Sequence, residues 1–198
     1  MIQIRPAYKD QASEIATLIM EAMTLDCCKW FYGPQHTDID FHEFMTSLVE
    51  ADNTQYSYVN TLTAYDTDED NLAGIIVSYN GALLQQLRAP FIRGMKQYFD
   101  RDFSNLAPET QAGELYLDSL CVKEMYRRQG IATMLLKAGI ERTAQLNLPA
   151  TGLLVDQGNP KAEKLYHSLG FNIVNETTWA GHPMKHMVRP IVPTNKVH

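Results

Sequence analysis

Residues 120–136 read LCVKEMYRRQGIATMLL. Within 17 residues an apolar strand end, Leu120-Cys121-Val122, runs through a basic turn containing Gly130 into an apolar-striped helix that opens at Ile131. The first N–H groups of a helix have no intrahelical partner and carry positive partial charge, so Gln129, Gly130, Ile131 and Ala132 present backbone donors to an anion. Gly130 lets a ligand come close to the backbone, while Arg127 and Arg128 add charge-assisted hydrogen bonds. This strand-turn-helix junction is the strongest local signal in the chain. It is an anion site in search of a fold.

Working outward, Glu114–Val122 (ELYLDSLCV) reads as a strand and residues 131–146 as a helix. Residues 152–156 then read as a strand, 160–169 as a helix, and Phe171 begins another strand. A strand, a helix and a further strand in succession make the strands 114–122 and 152–156 parallel neighbours. A final strand at about 185–189 would close the sheet. Upstream, Ile2–Arg5 reads as a strand, followed by Ile15, Leu18, Ile19 and Ala22 at helical spacing. Residues 26–40 (DCCKWFYGPQHTDID) suit a loop, since Gly33 and Pro34 sit beside three aromatics, and Phe41, Phe44 and Leu48 restart a helical stripe. Residues 56–65 and 72–79 are rich in β-branched and aromatic residues around a polar turn, which predicts an antiparallel hairpin. Residues 83–103 read as helical but interrupted at Pro90.

Other phosphate and hydrolase signatures are missing: there is no GxGxxG, no GxxxxGK followed by Ser or Thr, no HExxH and no GxSxG. His182 and His186 flank Pro183 across a turn and strand, and no metal is expected. Three cysteines leave one odd and form no CxxC, so Cys121 reads as a buried small hydrophobe rather than a nucleophile.

The motif Arg127-x-x-Gly130-x-Ala132 resembles the acyl-CoA motif of the GNAT superfamily of N-acetyltransferases, in which Arg or Gln precedes Gly and then Gly or Ala. Downstream, Asn159, Ala162, Tyr166 and Gly170-Phe171 are similar to a second segment of that superfamily. Each of these residues also has a structural reading: Asn159 as helix cap, Pro160 at the first helical position, Gly170 at the reversal, Tyr166 on an apolar stripe. The resemblance covers residues 114–171, and Ile2–Met23 is similar to the superfamily's opening.

The resemblance implies an α/β (mixed α+β) domain spanning 1–198, with a central mixed sheet of six or seven strands flanked by helices. The strands 114–122 and 152–156 would splay apart at the cofactor site. It further implies acetyl-CoA as acyl donor, with Leu120, Cys121 and Val122 along the pantetheine arm and Arg127–Thr133 around the pyrophosphate. Asn159 would hold the arm or an ordered water. Tyr166 would protonate the leaving thiolate. A neutral amine would attack directly, without a covalent acyl-enzyme. No motif names the base. Strand alternation sets Glu114, Tyr116, Asp118, Leu120 and Val122 on one face, and Asp118, then Glu114, are the candidates. The departure from the minimal fold is a helical insertion at about 83–112, which would cover the acceptor, form a homodimer contact or merely decorate the packing. A non-catalytic acyl-CoA-binding sensor is the alternative reading.

The chain has 198 residues, 45% hydrophobic and 20% charged, with a net charge of −6. That balance excludes a disordered chain and argues against nucleic acid as the main partner. Nothing approaches 18 consecutive apolar residues and MIQIRPAYKD has no apolar leader, so no membrane partner and a cytoplasmic location are expected. Residues 1–70 hold 13 acids against 3 bases, leaving the rest at +4. A solvated surface explains such a run, but an acidic segment bordering the cleft would favour a small-molecule or peptide amine that is cationic. Asp38, Asp40 and Glu43 stand for that segment, and Trp30, Phe31 and Tyr32 are candidates to line its pocket.

Overall fold

The computed structural model describes residues 1–191. Seven strands, β1 (Ile2–Pro6), β2 (Thr61–Asp66), β3 (Asn71–Asn80), β4 (Glu114–Val122), β5 (Ala150–Asp156), β6 (Asn172–Trp179) and β7 (His182–Pro190), form one sheet in the order β1-β2-β3-β4-β5-β7-β6. All neighbours are antiparallel except β4 and β5, which are parallel, as a strand-helix-strand unit demands. The last strand does not close the sheet. β7 is threaded between β5 and β6, and β6 becomes the edge, because a two-residue turn at Ala180-Gly181 folds β7 back along β6.

Helices α1 (Ala12–Met23), α2 (Leu25–Tyr32), α3 (Asp38–Glu50) and α4 (Leu84–Phe99) cover one face, and α5 (Ile131–Gln145) and α6 (Pro160–Ser168) the other. β3 is buried along nearly its whole length because it is roofed on both sides: Ile75 and Val77 pack under α1, Ile76 under α5. Each such fully buried aliphatic contributes about 1.5–3 kcal/mol, so the centre of the sheet is the best anchored part of the molecule.

Two expectations change. Residues 25–32 form helix α2 rather than a loop, since Cys27, Cys28, Phe31 and Tyr32 recur at helical spacing and bury against α1 and α3. The threonine at position 24 caps it, its hydroxyl accepting from Cys27 N–H. The second change is that α4 runs through Pro90 without interruption. Proline tends to displace the carbonyls one turn before it, and the Leu87 carbonyl accepts from Gln55 N–H at 2.9 Å. Among the described residues no helix is long and apolar enough to cross a membrane.

Candidate active site

β4 and β5 pair over three positions only, Glu114 with Ala150, Leu115 with Thr151 and Tyr116 with Gly152, and then part. Beyond Tyr116 the β5-facing edge of β4 has no strand partner among the described residues. The gap opens a cavity of about 320 Å³, walled by Leu117–Leu120 of β4, Leu153–Asp156 of β5, and Asn159, Ala162 and Tyr166 at α6. It is also lined by Met23, Thr24 and Cys27 at the α1–α2 junction, by Tyr56, Glu109 and Tyr116, and by Trp179 and His182 from the β6–β7 turn.

A bulge shapes this wall. Ser78 pairs with Leu117 and Val77 with Ser119, so Asp118 is the extra residue that faces no partner. The expected single face of Glu114, Tyr116, Asp118, Leu120 and Val122 is therefore broken. Leu115 and Leu117 pack toward α5 before the bulge, and so do Leu120 and Val122 after it, while Cys121 turns to the α1 side.

The two candidate bases part company here. Asp118 lines the cavity; its Oδ2 accepts from the Tyr79 hydroxyl at 2.8 Å and from Gln55 Nε2 at 3.4 Å, and its Oδ1 from Ser119 at 2.9 Å. Burial pushes its carboxyl above the ordinary range. Glu114 instead points away from the cavity into a closed knot with Thr110 (2.5 Å), Gln111 N–H (3.3 Å) and His186 Nε2 (3.0 Å). A further carboxylate joins the wall. Glu109 is pushed up to about 7, because burial and the neighbouring Asp118 charge outweigh Arg88.

At the turn from β4 into α5, Arg128 adopts a left-handed backbone (φ +64°) and so does Gly130 (φ +79°). Together they turn the chain into α5. No side chain caps α5, and a Cβ at Gly130 would meet nothing within 4 Å, so the approach to the first turn is open. The Ile131 side chain is core, whereas Ala132 and Thr133 are half-buried. The Arg127 Nε donates to the Val122 carbonyl at 3.0 Å and its guanidinium faces Glu21 at 3.7 Å, which ties the loop to β4 and α1. Gln129 donates to the Met125 carbonyl. Cys121 lies on Glu21 at 3.4 Å, outside the cavity, and burial raises its thiol to about 12.

Tyr166 faces the gap from α6 with its ring 6.1 Å from Phe171; burial alone raises its phenol to about 12. Asn159 does cap α6, accepting from Ala162 N–H at 3.1 Å, and it lines the gap as well. Among the described residues no group of three His, Cys, Asp or Glu is arranged for a metal ion.

Residues 20–171 match the acetyltransferase (GNAT) family. The chain belongs to that family. No curated protein matches it. Among solved structures, an acetyltransferase is 27% identical, with 96% of this chain and all of that one covered and a TM-score of 0.73. An N-acetyltransferase from Staphylococcus aureus Mu50 is 25% identical, covering 94% and 99% of the two chains at a TM-score of 0.78. An N-acetyltransferase from Thermoplasma acidophilum, solved with coenzyme A, shares the fold at 15% identity, 96% and 99% coverage and a TM-score of 0.56.

In this GNAT transferase the sequence reading named Asp118, Leu120, Asn159 and Tyr166, which line the cavity, and missed other residues that line it. Trp30, Phe31 and Tyr32 do not line the cavity: Phe31 and Tyr32 are core, and Trp30 stacks on Phe31 and Phe103. Nor do Asp38, Asp40 and Glu43. Asp38 accepts from Tyr32 at 2.7 Å, Asp40 closes a capping box with Thr37, and Glu43 is exposed. The acids of the cavity are Glu109, Asp118 and Asp156, all outside residues 1–70. One signal for Glu109 lay in α4, where Arg88 interrupts the apolar stripe Leu84, Phe91, Met95; a charge on a core face demands a buried partner.

Proposed function

We propose that this protein transfers an acetyl group from acetyl-CoA to a primary amine of a small cationic acceptor by direct attack. The observation that carries this reading is a single cavity whose lining brings together an open strand edge, Tyr166 and two carboxylates, the buried Glu109 and the half-buried Asp118. The chain fits the donor. The unpaired edge of β4 at Leu120 can bond the amides of an extended arm as an added strand would, the uncapped start of α5 from Gln129 to Thr133 suits its phosphates, and Arg128 adds charge. Cys121 and Val122 continue that strand toward the turn, and Asn159 lines the same cavity.

Acetyl-CoA supplies an activated acetyl carbon as its thioester. The chain supplies position, a dry site and protons. Tyr166, protonated at every physiological pH, gives a proton to the departing sulfur. Asp118 lines the same cavity, where its negative charge attracts an ammonium group. Glu114, locked in its knot with Thr110 and His186, anchors the last joined pair of β4 and β5 rather than meeting the amine. A thiol-release assay across cationic, neutral and anionic amines tests the reading. Turnover is expected with a cationic amine; tight coenzyme A binding without turnover on any amine would favour an acyl-CoA sensor instead.

A further inference from the structure

Behind the bulge at Asp118 lies a buried charged cluster that the motifs do not contain. The Arg88 guanidinium of α4, 2% exposed, donates from Nη1 to Glu109 Oε2 at 2.6 Å and to the Ala107 carbonyl, and from Nη2 to the Leu106 carbonyl. These bonds fix residues 106–109 and aim Glu109 at the cavity. The other oxygen of Glu109 lies 3.4 Å from the Tyr79 hydroxyl of β3, which donates to Asp118 at 2.8 Å. Tyr116 of β4 and Tyr56 face Glu109 as well, and both phenols are raised well above their ordinary value, burial first, with Asp118 and Glu109 adding to it. From β6, Trp179 brings a buried indole N–H toward Glu109 without closing a hydrogen bond.

One guanidinium therefore faces two carboxylates. With both ionised the cluster holds one uncompensated negative charge in a site walled by aromatic rings, and a single cation entering the cavity restores neutrality. The Tyr79 hydroxyl has one proton, already given to Asp118. Its oxygen can accept, so a protonated Glu109 completes a chain of donors from Glu109 through Tyr79 to Asp118.

Resting on the transfer reading above, we infer that Glu109 is the group that receives the acceptor as a primary ammonium and takes its proton, with Arg88, Tyr79 and Asp118 as its positioning residues. The proton balance is closed. The ammonium gives one proton to Glu109, the freed nitrogen lone pair forms the bond to the acetyl carbon, and the carbon–sulfur pair leaves with sulfur. Sulfur takes the Tyr166 proton. The remaining proton displaced from nitrogen restores Tyr166, and that on Glu109 is released to solvent, so one proton is lost per turnover. The raised carboxyl of Glu109, about 7, suits a group that must accept a proton near neutrality and release it again.

The test is the pH dependence of kcat/KM for the wild type with primary amines of different basicity. The acidic limb is expected near pH 7 and at the same pH for every amine, because it belongs to the enzyme. A limb that moves with the basicity of the amine overturns the inference. Glu109→Gln is expected to lose that limb and ~10²-fold in kcat/KM while binding coenzyme A as the wild type does. Asp118→Asn is expected to keep the limb and move it to lower pH, since the charge that raises Glu109 is gone; an unmoved limb also counts against the inference. Turnover with an unaltered limb in Glu109→Gln sinks this inference alone, whereas a wild type that acetylates no amine sinks the transfer reading with it.

Discussion

Replacing Tyr166 by Phe removes one oxygen and nothing else from the wall of the cleft. The ring keeps its contact with Phe171, and burial is the sole cause of the raised phenol, so no charged partner is orphaned by the change. Folding stability should therefore shift by less than about 0.5 kcal/mol, within the range of a benign substitution. The chemical step is another matter. A positioned general acid contributes about 10²–10⁴-fold, with the gain depending on how well the two acids match. The cavity raises a thiol too: Cys27, elsewhere in its lining, is pushed by burial to about 11, against about 12 for Tyr166. A sulfur leaving into such surroundings is nearly as basic as the phenolate, so transfer is close to balanced rather than strongly downhill, and the low end applies. We expect kcat to fall ~10²-fold, equivalent to about 2.7 kcal/mol of barrier, with KM for acetyl-CoA nearly unchanged. Steady-state thiol release with thermal melting of both proteins measures the two quantities together. Since the acid must stay protonated, wild-type kcat should show no basic limb attributable to Tyr166 below about pH 11. Wild-type kcat in Tyr166→Phe, or a fall in kcat matched by an equal loss of stability, would refute the role and return Tyr166 to the core.

Arg127→Ala combined with Arg128→Ala should raise KM for acetyl-CoA far more than KM for the amine, read from two-substrate kinetics; an unchanged donor KM would remove the phosphate reading of the loop. Asp38→Asn, Asp40→Asn and Glu43→Gln together should change acceptor KM less than about twofold, because none lines the cavity and exposed charges are screened beyond ~8 Å at physiological ionic strength. Gly152→Ala would set a Cβ 2.2 Å from Glu114 Oε2, whose carboxylate is held by Thr110 and His186, and should cost about 1–3 kcal/mol in denaturant melts. Glu109 holds its proton more tightly folded than unfolded, so its contribution to stability falls as pH rises from 4.5 to about 7, by about 3 kcal/mol; Glu109→Gln should flatten the stability profile across that window.

The family was legible because its motifs are written locally. Arg127, Gly130 and Ala132 sit within six residues, and the turn they make needs a positive φ at Gly130 and an uncapped helix start, both properties of short chain segments. The same holds for Asn159 and Pro160 opening α6, and for the hairpin of β2 and β3. Strand alternation carried the reading of β4 only as far as Tyr116. One extra residue at Asp118 reversed the facing of Leu120 and Val122, and a bulge is decided by register against β3, not by β4 itself. Residues 25–32 were misread for a related reason: Cys27, Cys28, Phe31 and Tyr32 become a helical face only once α1 and α3 offer them a surface to bury against.

The buried cluster around Glu109 belongs wholly to the tertiary structure. Arg88 and Glu109 are 21 positions apart, and Tyr79 and Asp118 are 39 apart. Sequence alone determined that a basic, glycine-containing turn follows β4 and opens α5. Folding decided which carboxylate answers Arg88 and which one meets the cavity. Local geometry is set by neighbours along the chain, whereas the ionisation of a buried carboxyl is set by water excluded and charges brought near, and those neighbours come from α4, β3, β4 and β6 together.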